Sequence, residues 1–359
     1  MKGVKMKIKG KPAARKAAPR QPAKKAAHKP LARKAAPGKS AKKAAHKPSA
    51  KKAMPKQPAK RAPAAKIAVP KREPPHHVPK HEPLRHIPAQ APQRVAFKPE
   101  LRQPRCLVLS GFGLNSEMEL AHAFSLAGAN SKIVHFSDIS SGEEKLENYQ
   151  IFAIPGGWSY ADDISSGRVL ANKLKSTFRS QFESFVSSGK PMLGICNGFQ
   201  VLAKLGALPN LSLSFSQEAT LASNASGRFE DRWVRLKPQK SACKYFEGVE
   251  FIGCPVRHGE GRFICRDNSV LSRIEKQGQV ALKYVDENMK EGGYPVNPNG
   301  AVKNIAAVCD TTGKILGMMP HPECSVYRTQ FPRWTAGISY EKNSIRFFGN
   351  IVDEARKYI

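Results

Sequence analysis

Aromatic side chains are missing from the first hundred positions of this 359-residue chain, Phe97 excepted. Acids are nearly missing too, with only Glu73, Glu82 and Glu100 set against 29 Lys and Arg. A segment with so little to bury and so much charge of one sign cannot build a core. No apolar run in the chain approaches the roughly 18 residues that a membrane span needs. Residues 1–11 are basic but lack the apolar stretch of a secretory signal. Both absences argue against a membrane or exported protein and for a cytoplasmic one. The seven cysteines, at 106, 196, 243, 254, 265, 309 and 324, are odd in number and scattered without metal-ligand spacing. That pattern excludes a disulfide framework and a structural zinc site, and predicts reduced thiols and no bound metal.

What is present divides the chain unequally. The formal charge of +32 is carried mostly by residues 1–100, at +26, leaving only +6 for residues 101–359. The basic part repeats with a period of 18: Ala14-Arg-Lys-Ala-Ala-Pro19 recurs as Ala32-Arg-Lys-Ala-Ala-Pro37, and Ala23-Lys-Lys-Ala-Ala-His-Lys-Pro30 recurs at 41–48. Its Ala/Lys runs are cut by proline too often to hold a helix in water. Residues 1–69 are therefore expected to be a disordered tail, residues 70–103 a linker rich in proline and histidine, and residues 104–359 the folded domain. In composition the tail resembles the Lys/Ala/Pro tails of linker histones and bacterial histone-like proteins. Dense charge without aromatics suits contact with phosphate backbones rather than base stacking, which makes nucleic acid its expected partner.

From residue 104 onward apolar runs alternate with helical patterns. Strands are expected at 105–111, 132–137, 149–157 and 192–195. A helix is expected at 116–126, with Leu120, Ala123, Phe124 and Ala127 on one face, a long helical pattern at 165–188 and another helix at 197–206. Such alternation predicts an α/β domain with a doubly wound parallel sheet and a site at the carboxyl ends of its strands. Later runs at 233–236, 251–256, 280–285, 305–309 and 315–319 read as strands that extend the sheet or form a second one beside it. A helix at 344–357 closes the domain.

The chemistry gathers at strand ends. Gly194-Ile-Cys196-Asn-Gly198 has the form Gly-x-nucleophile-x-Gly, the sharp strand-to-helix turn that holds a nucleophile out at the edge of a sheet. Cys196 also opens a helix, where unpaired N–H groups and the helix dipole favour a thiolate. A lone cysteine between strand and helix can equally be a buried core thiol. His321 and Glu323, just past the last strand, supply the base that such a nucleophile needs and the carboxylate that orients it. His258, after another strand, is a rival base. Gly156-Gly157 ends the third strand and can place a bare N–H beside that of Asn197, two donors for the oxyanion of a tetrahedral intermediate. This layout suits acyl transfer from a small amide through a thioester.

In this order the motifs resemble those of the class I (triad) glutamine amidotransferases, and within them the glutaminases of phosphoribosylformylglycinamidine synthase. The resemblance is carried by Gly113-x-Asn115-x3-Glu119, Pro155-Gly-Gly-Trp-Ser-Tyr-Ala-Asp162, Gly194-Ile-Cys-Asn-Gly-Phe-Gln200, Ser226-Gly-Arg-Phe-Glu-Asp-Arg-Trp233, His258-Gly-Glu-Gly-Arg262 and Gly317-Met-Met-Pro-His-Pro-Glu323. It covers residues 105 to about 358 and leaves out the tail. It implies that Cys196, His321 and Glu323 are catalytic, that Gly157 and Asn197 are the oxyanion donors, and that Gly156 and Gln200 lie with them in the glutamine site. Trp158 stands where the family pattern leads one to expect Phe, and Asp163-Ile-Ser-Ser-Gly167 departs from the usual continuation. The implied substrate is glutamine, and the implied product is ammonia for an ATP-dependent amidation in purine synthesis. The globular part has no room for an ATP-binding module. The chain should hold no cofactor of its own and should require a separate synthetase subunit, carrying ATP and Mg, with a small third subunit as a further partner. Two other readings are a peptidase-like cysteine hydrolase on the same fold, and a nucleoid-associated protein with a vestigial enzyme domain.

Overall fold

The computed structural model describes residues 102–209 and 216–359. Apart from Arg102 and Gln103, the expected tail (1–69) and linker (70–103) lie outside the described residues. The first half of the domain follows the expected alternation: β1 (Arg105–Ser110), α1 (Glu117–Leu126), β2 (Asn130–His135), α2 (Phe136–Ser141), β3 (Ile151–Ile154), α3 (Arg168–Thr177), α4 (Arg179–Ser187), β4 (Met192–Ile195) and α5 (Asn197–Leu205). The second half is richer in strand: β5 (Ala219–Ala222), β6 (Glu230–Pro238), β7 (Ile252–His258), β8 (Arg262–Cys265), α6 (Asn268–Lys276), β9 (Val280–Val285), β10 (Ile305–Cys309), β11 (Ile315–Met318) and α7 (Glu341–Ala355).

Nine strands form one sheet in the order β2-β1-β3-β4-β11-β10-β9-β6-β7. The five from β2 to β11 are parallel, and the remaining four continue the sheet antiparallel. The later strands thus extend the sheet, while β5 and β8 pair separately as a small two-stranded sheet that no sequence pattern announced. Strands β3, β4 and β11 are buried at every position, as parallel strands covered on both faces must be. Helix α1 presents Leu120, Ala123 and Phe124 to the core, and Phe124 meets Phe348 of α7 edge-on at 5.1 Å.

Two elements differ from expectation for local reasons. The strand expected at 132–137 ends at His135, whose Nδ1 accepts the Ser137 N–H at 3.2 Å and caps α2, so that Phe136 already belongs to a helix. The long helical pattern at 165–188 is two helices, because Phe178 leaves helical geometry (φ −135°, ψ 41°). Its ring is buried against Phe136 at 5.1 Å, a tertiary contact that overrides the local periodicity.

Candidate active site

Strand register brings the site together. Ile195 of β4 pairs with Met318 of β11, and Gly194 pairs with Ile154 of β3. The residues that follow each strand, Cys196, His321 and Gly156-Gly157, therefore emerge at the same edge of the sheet. Cys196 sits at φ 49°, ψ −105°, a strained conformation for a residue with a side chain. Its N–H donates to the Met318 carbonyl at 2.8 Å, and its carbonyl accepts the first bond of α5 from Gln200 at 3.1 Å. The glycine bracket has a steric cause. A Cβ on Gly194 would lie 2.7 Å from the Gly198 backbone, and one on Gly198 would collide with the Ile154 carbonyl.

His321 is almost fully buried. Its N–H donates to the Pro255 carbonyl at 2.9 Å, and its Nδ1 lies 2.7 Å from Glu323 Oε1. With Nδ1 committed to the carboxylate, Nε2 is buried without a hydrogen-bond partner among the described protein atoms. Burial alone would push the imidazole pKa down. The Glu323 carboxylate and the Cys196 sulfur beside the ring outweigh that effect and push it up to about 10. Cys324 shares the cavity wall, but burial and the neighbouring Glu323 charge push its thiol up to about 12.

The third strand end supplies a turn locked against the 111–116 loop. Asn115 and Trp158 donate to the Gly156 and Gly113 carbonyls at 3.0 and 2.8 Å. Leu114 and Gly157 then face one another as the non-bonded pair of this antiparallel bridge. Gly157, at φ 144°, could not carry a side chain, because a Cβ would lie 2.7 Å from Leu114 Cα. Asn197 holds the first position of α5, where a backbone N–H has no intrahelical partner. Its side chain is occupied elsewhere. Nδ2 donates to Asp162 at 3.2 Å and to Gln200 Oε1 at 2.9 Å, while Oδ1 accepts the Ser159 N–H at 3.2 Å. Gln200 completes this brace by donating to the Glu260 carbonyl at 2.5 Å. Both ends of the Gln200 amide are therefore engaged within the wall of the site.

Cys196, His321, Gly157 and Gln200 line a cavity of about 380 Å³ that also exposes Asp162, Glu260 and Arg257. Residues Tyr160, Ala161 and Asp162 run at φ 55°, 54° and 54°, a left-handed stretch that turns the Asp162 carboxylate back toward Asn197. Burial and the nearby Glu260 charge raise the Asp162 pKa. Sequence reasoning missed Asp162 and Glu260 as site residues, although each stands inside a motif quoted above, Glu260 between two glycines. Trp158 and Phe229, both half exposed with ring centroids 6.0 Å apart, stand on the cavity rim.

His258, the rival base, belongs to a different network. Asn224 donates both amide protons to carbonyls, of Arg228 and His258, so its Oδ1 accepts from His258 Nδ1 at 3.1 Å and from Gly261 N–H at 3.0 Å. The other ring nitrogen faces Asn299 Nδ2 at 3.4 Å. Burial, with the neighbouring His321 charge, pushes its pKa down to about 3, which leaves a neutral ring holding the 259–261 loop in place. All seven cysteines are free thiols. Among the described residues no helix is long and apolar enough to cross a membrane.

This edge-of-sheet arrangement has counterparts among known proteins. A family model described as a CobB/CobQ-like glutamine amidotransferase domain matches residues 103–358, and the chain belongs to that family. More particularly, it is similar to phosphoribosylformylglycinamidine synthase subunit PurQ of Methanococcus maripaludis, with 42% identity over 254 residues, 70% of this chain and 92% of that protein. The subunit PurQ of Treponema denticola is 39% identical over 267 residues, covering 66% of this chain and 99% of its own length. Among solved structures, PurLQS from Thermotoga maritima superimposes with a TM-score of 0.54 at 28% identity, over 70% of this chain and 99% of the matched one.

Proposed function

We propose that the chain is the glutaminase subunit of a phosphoribosylformylglycinamidine synthase, releasing ammonia from glutamine for a synthetase subunit in purine synthesis. The observation that carries this reading is the strand register that sets Cys196 beside His321 and His321 beside Glu323, at the mouth of a cavity of glutamine size. The Cys196 thiolate attacks the side-chain amide carbon. The oxyanion that forms is held by the N–H groups of Gly157 and Asn197. Protonated His321 gives its proton to the departing nitrogen, ammonia leaves, and a γ-glutamyl thioester remains on Cys196. Water then attacks the thioester, His321 takes its proton, the tetrahedral intermediate collapses, and glutamate and the thiolate are restored. On this reading Asp162 and Glu260, which line the same cavity, receive the α-ammonium group of the substrate, and Arg257 its carboxylate.

No cofactor enters these steps. ATP and Mg belong on the partner synthetase subunit, and a small third subunit is a further partner on this reading. The cytoplasm is the site of action that this reading implies. Glutamine turnover by the isolated chain should be slow, and addition of the synthetase subunit with its substrates should raise it, so that ammonia is released only where it is used. Ammonia release measured with and without the partner checks this. Full-speed turnover by the chain alone, or amidination from ATP without a partner, would contradict it.

The tail carries a second proposal, motivated by its charge of +26 in residues 1–100 against +6 in the rest. Residues 1–69 bind duplex DNA or RNA without sequence preference. Each phosphate neutralised on DNA contributes a slope of about −0.9 to the log–log salt dependence, so ten contacts weaken binding roughly 10⁵-fold between 50 and 200 mM salt. A chain truncated before residue 101 should lose DNA retention and keep glutaminase activity. DNA binding unchanged by truncation would remove the proposal. Loss of co-purification with the synthetase instead would make the tail a tether to an acidic partner.

A further inference from the structure

The oxyanion donor on Gly157 is useful only if its N–H faces the oxygen of the tetrahedral intermediate. Rotation of the Gly156–Gly157 peptide would put a carbonyl there instead, and a carbonyl repels an oxyanion. Glycine backbone rotates freely, so something must hold that peptide. The Gly156 carbonyl is gripped by the N–H groups of Asn115 at 3.0 Å and Ser116 at 3.4 Å. In a trans peptide the N–H of the next residue points the opposite way, so the Gly157 N–H is directed away from that turn. The preceding amide is fixed as well: Gly156 N–H donates to Ser116 Oγ at 2.8 Å. The crowding on Gly156 shows how close this clamp stands to the chemistry. A Cβ there would lie 2.8 Å from His321 Cε1, 3.0 Å from Ser116 Oγ and 3.5 Å from Cys196 Cβ.

We propose that Ser116 is the positioning residue of the oxyanion hole: its hydroxyl pins Gly156 so that the next peptide presents its N–H, and not its carbonyl, to the tetrahedral intermediate. Ser116 precedes α1 but makes no side-chain capping bond to that helix, so the hydroxyl is committed to the glycine turn. Its backbone grips the carbonyl on one side of Gly156 while its side chain grips the amide on the other. Without the hydroxyl the Gly156 amide loses its acceptor, and the rotation that would turn Gly157 away from the thiol is no longer opposed from that side. Ground-state binding of glutamine does not depend on this bond. Stabilisation of the oxyanion does.

The inference rests on the glutaminase reading, and its test separates the two. The full chain with its synthetase partner is assayed as wild type, Ser116→Thr and Ser116→Val, a pair of equal volume that differs by the hydroxyl. Ser116→Thr should keep kcat within about twofold, and Ser116→Val should lose about tenfold in kcat with KM unchanged. That loss is less than the ~10²-fold that follows removal of an oxyanion donor itself. Alkylation of Cys196 by iodoacetamide builds no oxyanion, and its rate should be the same in all three proteins. Equal kcat in Ser116→Thr and Ser116→Val would overturn the inference, as would a fall in kcat matched by slower alkylation or higher KM, the mark of a general structural role. Absence of glutamine turnover in the wild-type assembly would instead overturn the functional reading on which the inference stands.

Discussion

Cys196→Ala should reduce glutamine hydrolysis by about 10⁴-fold or more, since removing a nucleophile that acts together with its base forfeits nearly all the catalysis the group provides. The protein should remain folded. Cys196 is buried, but the substitution removes only the sulfur, and the strained turn is held by backbone bonds to Met318 and Gln200 that alanine keeps. Cys196→Ser should be nearly as inactive, because a hydroxyl is a far poorer nucleophile beside a base tuned to a thiolate. The other cysteines give the contrast. Burial raises the pKa of Cys106, Cys243, Cys254, Cys265, Cys309 and Cys324, so each is held as an inert thiol. Replacing any one by alanine should change turnover by less than about tenfold. Ammonia release by the purified variants, with circular dichroism as the check on folding, decides it.

Gly198→Ala should be the most damaging conservative change to stability. A methyl group there would collide with the Ile154 carbonyl, and backbone cannot yield as a flexible side chain can. Overpacking of a tight core ordinarily costs 1–3 kcal/mol, and a contact with strand backbone belongs above that range, at more than about 3 kcal/mol. Either α5 moves off the sheet, carrying Asn197 and Cys196 with it, or β3 gives way and takes the Gly156-Gly157 turn. Activity should fall with stability in both cases. Gly349→Ala in α7 is the matched control, because a Cβ there meets nothing within 4 Å and alanine favours helix by roughly 1 kcal/mol. Urea unfolding should show a lower midpoint for Gly198→Ala and an equal or higher one for Gly349→Ala. Equal midpoints would mean that the elbow is not close-packed.

The elbow was legible in the sequence because its constraint is local. Two glycines bracket Cys196 where strand, turn and helix must cross within five residues, and no other residue fits. His321 and Glu323 were legible for a related reason, since they follow an apolar strand directly and parallel strands end at one edge. The direction of the later strands was not legible. Apolar runs such as 280–285 and 305–309 are the same in a parallel or an antiparallel neighbour, and only the chain path decides. The break at Phe178 escaped because its cause, the ring of Phe136, lies far away in sequence. Asp162 and Glu260 escaped for a different reason. The left-handed run from Tyr160 to Asp162 contains no glycine to announce it, so nothing local says that Asp162 turns inward. Gln200 could be placed in the site by resemblance, but only the structure shows both ends of its amide engaged with Asn197 and Glu260.

In the proposed mechanism a γ-glutamyl group passes through the sulfur of Cys196. The most direct measurement is to mix the chain and its synthetase partner with isotopically labelled glutamine, quench in acid within the first turnovers, digest, and locate the label by mass spectrometry. An acid-stable, hydroxylamine-labile thioester is expected on the peptide containing Cys196, and is expected to be absent from Cys196→Ala. Label on the peptide containing Cys324, or ammonia released through many turnovers with no acylated cysteine, would contradict it.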